Sequence, residues 1–175
     1  MLTNTSLSKC EVAYAACSGV MDHNCWEQTR HKRSATRNFY NNLGSLSTGF
    51  MSEVAKTRRA QKLPVCGDHV TAPQSLSYFM FDKWDKYSNF TDFQEIWTIG
   101  SQIAWVSTPE NNKVKEWTDQ KSAGIVYCSI VDRYKKSGIR LYKPNYGYTW
   151  DWPFDLPDGF LEFEGKRLLQ EKVAA

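Results

Sequence analysis

The sequence predicts an α+β protein. Two short runs have strand character, one from Leu63 through Cys66 to Val70 and one over Gln102–Ser107, and several stretches around them carry helical spacing. The composition is that of a folded chain: 175 residues, 41% hydrophobic, 23% charged and 14% aromatic. That length suits one domain with a real core, or a small core carrying helical extensions.

Residues 1–20 place Leu7, Val12, Ala13 and Ala16 at loosely helical spacing before Gly19, which predicts a short helix. Asp22 is placed to cap a second helix through Trp26, Arg30, Arg33 and Arg37 to Asn42, with Gly44 as its stop. A third is expected from Thr48 to Ala60, antiparallel to the second, with its basic residues outward. Leu63–Val70 then reads as a short strand ending in the polar pair Asp68-His69.

Residues 75–87 and 91–99 read as helices capped by Ser75 and Thr91, forming an insertion over 75–99 between the two strands. The second strand, Gln102–Ser107, is rich in residues that suit a pleated surface. Ser107-Thr108-Pro109-Glu110 offers a capping box with Pro in the first turn, so a helix should start there and run to about Gln120. A further helix is expected from Ser122 to Lys136, stopping at Gly138. The tail has turn signals at Pro144-Asn145, Pro153 and Pro157-Asp158-Gly159, with strand-like flanks at Ile139–Tyr142 and Phe160–Phe163. The elements group as a basic helical region 1–62, a core 63–121 and a helix with mixed tail 122–175, within one compact unit.

The net charge of +3 is unevenly spread. Between Trp26 and Lys62, Arg30, Lys32, Arg33, Arg37, Lys56, Arg58, Arg59 and Lys62 face only Glu27 and Glu53, a candidate polyanion-binding stretch. Residues 141–175 carry more acid than base. No run approaches the roughly 20 apolar residues of a membrane span. Five cysteines at irregular spacing, and Lys9 and Glu11 where a signal peptide needs apolar residues, point to a reduced, cytoplasmic protein. Cys17, His23, Cys25 and His31 fit no common zinc spacing, so no structural zinc is expected, and Cys66 reads as a small buried hydrophobe.

Gly67-Asp68-His69-Val70, followed by Trp105-Val106-Ser107-Thr108-Pro109-Glu110-Asn111-Asn112-Lys113, resembles the HNH branch of the ββα-metal (His-Me finger) nucleases. Phage homing endonucleases of this family run a Trp-Val-Thr strand into a Glu-Asn-Asn helix start in the same way. The resemblance covers the site segment, not the chain ends. It implies a small ββα-metal core, two strands and a helix, with a helical insertion and N-terminal helical additions. It also implies a DNA homing or nicking endonuclease working with Mg²⁺ or Mn²⁺ in a host cytoplasm.

Under that resemblance His69 is the general base, Asp68 and Asn111 are the metal ligands, with Asn112 the alternative to Asn111, and Gln102 supports the site. The family's middle position is usually Asn or His, so Gln102 departs from it, and residues 70–110 form a longer separation than compact members have. The chemistry suits the residues. Imidazole titrates near neutrality and can take a proton from water, while carboxylate and amide oxygens are hard ligands suited to Mg²⁺. Lys113 and Lys115 follow the ligand on its helix as phosphate contacts, joined by Arg30, Arg33, Arg37, Arg58 and Arg59. Two rivals remain: a nucleic-acid-binding module without catalysis, and a phage or bacterial interaction protein that presents the aromatics of 75–99 and 141–163.

Overall fold

Cys10, Ala13 and Cys17 recur at spacings of three and four along Asn4–Asp22, and this stretch forms the first helix, α1, with those residues on its buried side. The computed structural model describes residues 3–22, 36–117 and 129–166. α1 runs to Asp22, and of the helix expected to follow it residues 36–41 (α2) are described, while its expected start lies outside the described residues. Among the described residues no helix is long and apolar enough to cross a membrane.

The third expected helix is half wrong. Leu46–Ser52 forms strand β1, and only Glu53–Ala60 is helical (α3). Ser52 marks the change, since its side chain accepts from Ala55 N–H as an N-cap. Local propensity favours neither state over Ser47, Thr48 and Gly49. Pairing with a distant strand decides it, with Met51 opposite Tyr142 and Ser52 opposite Leu141. The antiparallel helix pair expected from 48–60 therefore does not exist over residues 48–52.

Cys66–His69 is β2, followed by Pro73–Asp82 (α4), Trp84–Tyr87 (α5) and Phe90–Ser101 (α6), then β3 over Gln102–Val106 and α7 over Thr108–Glu116. The expected end of α7 near Gln120 and the start of the next helix at Ser122 lie outside the described residues. From Ser129 onward the helix expected to reach Lys136 is a 3-10 turn, Ile130–Asp132, leading into α8, Arg133–Lys136. Gly138, at φ +69°, ends it.

Leu141–Lys143 (β4) and Gly147–Thr149 (β5) form a hairpin whose turn places Asn145 and Gly147 at positive φ. The strand-like Phe160–Phe163 lies instead in a helix over residues 160–166 (α9). Its spacing supports this, because Phe160 and Glu164, four apart, are both buried.

The chain divides into two compact units, one of residues 1–46 and 71–101, the other of 47–70 and 102–175. In the first, the excursion between β2 and β3 packs with the N-terminal helix. Tyr14 meets Phe90 and Phe93 edge-on at 5.4 and 5.2 Å, and Trp97 Nε1 donates to Asn42 O at 2.9 Å. In the second lies a five-stranded sheet in the order β2-β3-β1-β4-β5, with β2–β3, β1–β4 and β4–β5 antiparallel. Phe50, Val70, Ala104, Val106 and Leu141 line its inner side and close on Val114 of α7.

Candidate functional site

Residues 66–69 become a strand because the inner positions meet the core: Cys66 packs half-buried at its margin, and Val70, just past the strand on the same side, is wholly enclosed. The antiparallel register sets Asp68 opposite Ala104 and His69 opposite Ile103, and Val70 N–H extends the ladder by donating to Gln102 O at 3.0 Å. Asp68 thus shares the inner side with Ala104, whereas His69 belongs by alternation to the other side, with Gly67. A side chain at Gly67 would meet Ile103 Cδ1 at 2.6 Å, so glycine there lets Ile103 fold over the strand.

The helix start anticipated at Ser107 is present in full. Ser107 Oγ accepts from Glu110 N–H, and the Glu110 carboxylate accepts from Ser107 N–H at 2.9 Å. Glu110 does a second job, since its Oε2 also receives the Ser52 hydroxyl at 2.6 Å, tying the cap of α3 to the cap of α7. Two of the first-turn donors are engaged. Pro109 has no N–H, that of Glu110 goes to Ser107 Oγ, and that of Asn111 goes to Ser107 O at 2.9 Å. With the Glu110 carboxylate seated among them, this helix end offers a phosphate less than a free first turn would.

Asn111 lies in that turn, on a helix that packs against β2, and its side-chain Oδ1 is buried with no hydrogen-bond donor among the described residues. Gln102 Oε1, at the first position of β3, is in the same state. A buried amide oxygen without a donor costs about 1–3 kcal/mol, which makes both oxygens candidates for a ligand.

Asp68 is held by two residues whose role the sequence did not reveal. Arg133 Nη2 donates to Asp68 Oδ2 at 2.6 Å and also to the His69 carbonyl oxygen. The Tyr134 hydroxyl donates to the same Oδ2 at 2.6 Å. All three side chains are buried. Both contacts fall on one carboxylate oxygen, leaving Oδ1 as the oxygen that they do not use. Burial, followed by the neighbouring Asp68 charge, pushes the Tyr134 hydroxyl well above the ordinary phenol range, so Tyr134 stays a donor at any ordinary pH. Arg133 and Tyr134 sit 65 and 66 residues beyond Asp68 in a stretch that reads as an ordinary helix, with no local signal to mark them.

The other sequence-predicted residues are dispersed. Lys113 and Lys115 are exposed on α7, Arg59 is exposed on α3, and Arg58 is half-buried, its Nε bound to Pro64 O at 2.9 Å. Arg37 is exposed in the other compact unit, on α2. Arg30, Arg33, His23, Cys25 and His31 lie outside the described residues, as does the zinc question they raise. Among the described residues no three His, Cys, Asp or Glu side chains gather. A cation here would be held by one carboxylate, amide oxygens and water, a set that fits Mg²⁺ and not zinc. The orphaned Asn111 Oδ1 agrees with that set. Compared with protein-family models, curated proteins and solved structures, the chain matches none.

Proposed function

We propose that this protein is a divalent-metal-dependent endonuclease that hydrolyses DNA phosphodiester bonds, acting as a phage-type homing or nicking enzyme. The observation that carries the reading is the buried Asn111 Oδ1, without a donor among the described residues, on a capped helix packed against the strand that bears Asp68-His69. Asp68 and Asn111 would hold Mg²⁺ or Mn²⁺. Such an ion neutralises charge building on the phosphate and on the leaving oxygen. Phosphoryl chemistry asks the protein mainly for positioning and charge.

His69 is the general base in this scheme and takes a proton from the attacking water. The Arg133 bond to its carbonyl fixes the backbone from which the imidazole projects. Arg133 and Tyr134 fix the Asp68 carboxylate by one oxygen. Gln102 anchors the turn after His69 through its backbone carbonyl, a supporting role that its amide group need not fill.

Two observations favour a second reading, a nucleic-acid-binding module without catalysis. His69 alternates to the side of the strand opposite Asp68. Asp68 is already neutralised by Arg133 through a buried ion pair, which is what a structural carboxylate shows. Conversion of supercoiled plasmid, or of a duplex library when no plasmid site is cut, separates the two. We expect nicked or linear product with Mg²⁺ or Mn²⁺, none with EDTA, and a drop of at least 100-fold in His69→Ala and Asn111→Ala. Equal cleavage by those variants, or none by the wild type on the whole library, overturns the assignment.

A further inference from the structure

Two basic residues of α3, Lys56 and Arg59, lie against the outer side of the sheet rather than against a second helix, and rest on aromatic rings. Lys56 Nζ stands 3.9 Å from the centre of the Tyr142 ring and 5.3 Å from that of Tyr148. Arg140 stands 4.2 Å from the Tyr148 ring, and Arg59 stands 5.3 Å from the Trp105 ring on β3. Tyr142 and Tyr148 are cross-strand partners in the β4–β5 hairpin, with ring centres 4.9 Å apart. Both rings and Trp105 occupy strand positions that alternate away from Leu141 and Ala104 of the core.

Charge on this side is mainly positive. Glu53 is the acid of α3 and is already bound to Arg140 at 3.4 Å, and residues 139–150 contain no acid at all. The tail that counts as acidic over its whole length thus begins with a hairpin that carries Lys143 and no acid, directly after Arg140.

We propose that α3 and the β4–β5 hairpin form a platform for the phosphate backbone of duplex DNA, with Lys56, Arg59 and Arg140 as its contacts. The rings explain the choice of partner. A cation over a ring is held in place, so less side-chain freedom is lost when it meets a phosphate; Arg140 would meet one by exchanging the exposed Glu53 carboxylate for it. Each ring already has a cation on a face, which leaves these aromatics poorly placed to stack on unpaired bases. Contacts of this kind read charge and spacing rather than sequence. The proposal rests on the nuclease reading only for the identity of the polyanion.

The test is binding to a fluorescent 20-base-pair duplex of arbitrary sequence, in EDTA so that cleavage plays no part, across a salt series. The full chain is compared with Lys56→Gln/Arg59→Gln/Arg140→Gln and with Tyr148→Leu, each checked for folding by circular dichroism. Loss of three phosphate contacts should flatten the plot of log affinity against log salt by about 2.7, at about 0.9 per contact on duplex DNA. Affinity at 100 mM salt should fall at least 10-fold. Tyr148→Leu keeps every charge but removes a ring under two cations, and should weaken binding about 3-fold with the slope unchanged.

A triple variant with wild-type affinity and slope overturns the platform. So does no binding by the wild type at 50 mM salt, equal binding to polyglutamate, or tighter binding to single strands than to duplex. None of these outcomes depends on metal-dependent cleavage, so the platform and the nuclease reading fail separately.

Discussion

Removing Arg133 is the sharpest probe of the site, because the guanidinium bonds both residues of the Asp68-His69 pair at once. The Arg133 and Asp68 side chains are 3% and 9% exposed, so water neither screens the pair nor rescues its partners. Breaking such a pair from one side costs about 3–5 kcal/mol, chiefly from the charge left behind, although Asp68 can limit the loss by taking up a proton. With a urea slope of about 2 kcal/mol/M, Arg133→Met should lower the unfolding midpoint by about 1.5–2.5 M. That is a large fraction of the 5–15 kcal/mol typical of a domain.

Asp68→Asn/Arg133→Met removes both charges together and should be less destabilised than Arg133→Met alone, with a coupling energy of at least about 2 kcal/mol. Tryptophan fluorescence in urea reads this directly, since Trp152 stacks on Tyr134 with ring centres 6.2 Å apart. A coupling energy below about 0.5 kcal/mol would refute the claim that this pair fixes the strand end.

Glu110→Ala removes the acceptor for Ser107 N–H and for the buried Ser52 hydroxyl, and should cost about 2–4 kcal/mol by urea unfolding, against less than about 1 for Glu110→Gln. Equal loss in the two would show that the cap link contributes little. Gly100→Ala puts a methyl group 2.8 Å from Leu76 Cδ2 and 3.2 Å from Leu43 Cδ2, and should cost about 1–3 kcal/mol in thermal melts. An unchanged melting temperature would contradict that packing.

Burial raises Tyr134 above the phenol range and pushes the Cys10 and Cys17 thiols up to about 12. The unfolded chain therefore loses these protons first as pH rises. Stability is full below about pH 8.5 and falls above it, each group adding a slope of up to about 1.4 kcal/mol per pH unit. Melts from pH 8 to 11 should show a shallower loss in Tyr134→Phe above pH 10, and parallel curves would rule out the Tyr134 contribution.

The parts of this fold legible in the sequence are those decided within a few residues. The capping box at Ser107-Glu110 is written in side chains that bond their own backbone, and the structure reproduces it. The β2 and β3 strands, the helical excursion between them and the stop at Gly138 follow from patterning and turn chemistry in the same way. What misled was a segment with weak local preference: Leu46–Ser52 looks helical beside Glu53–Ala60, and only its β4 partner makes it a strand.

Of the candidate site, the sequence alone determined the order of the pieces, Asp-His on a strand end, then a strand, then a capped helix bearing Asn111. It could not supply the neighbours that set their chemistry. Arg133 on Asp68, Ser52 on Glu110 and Lys56 on Tyr148 join residues 65, 58 and 92 positions apart. Such pairs leave no periodic trace, because each is fixed by the packing of whole elements rather than by propensity or spacing. The tertiary structure decided which carboxylate is clamped, which amide oxygens find no donor among the described residues, and on which side of the sheet the positive charge gathers.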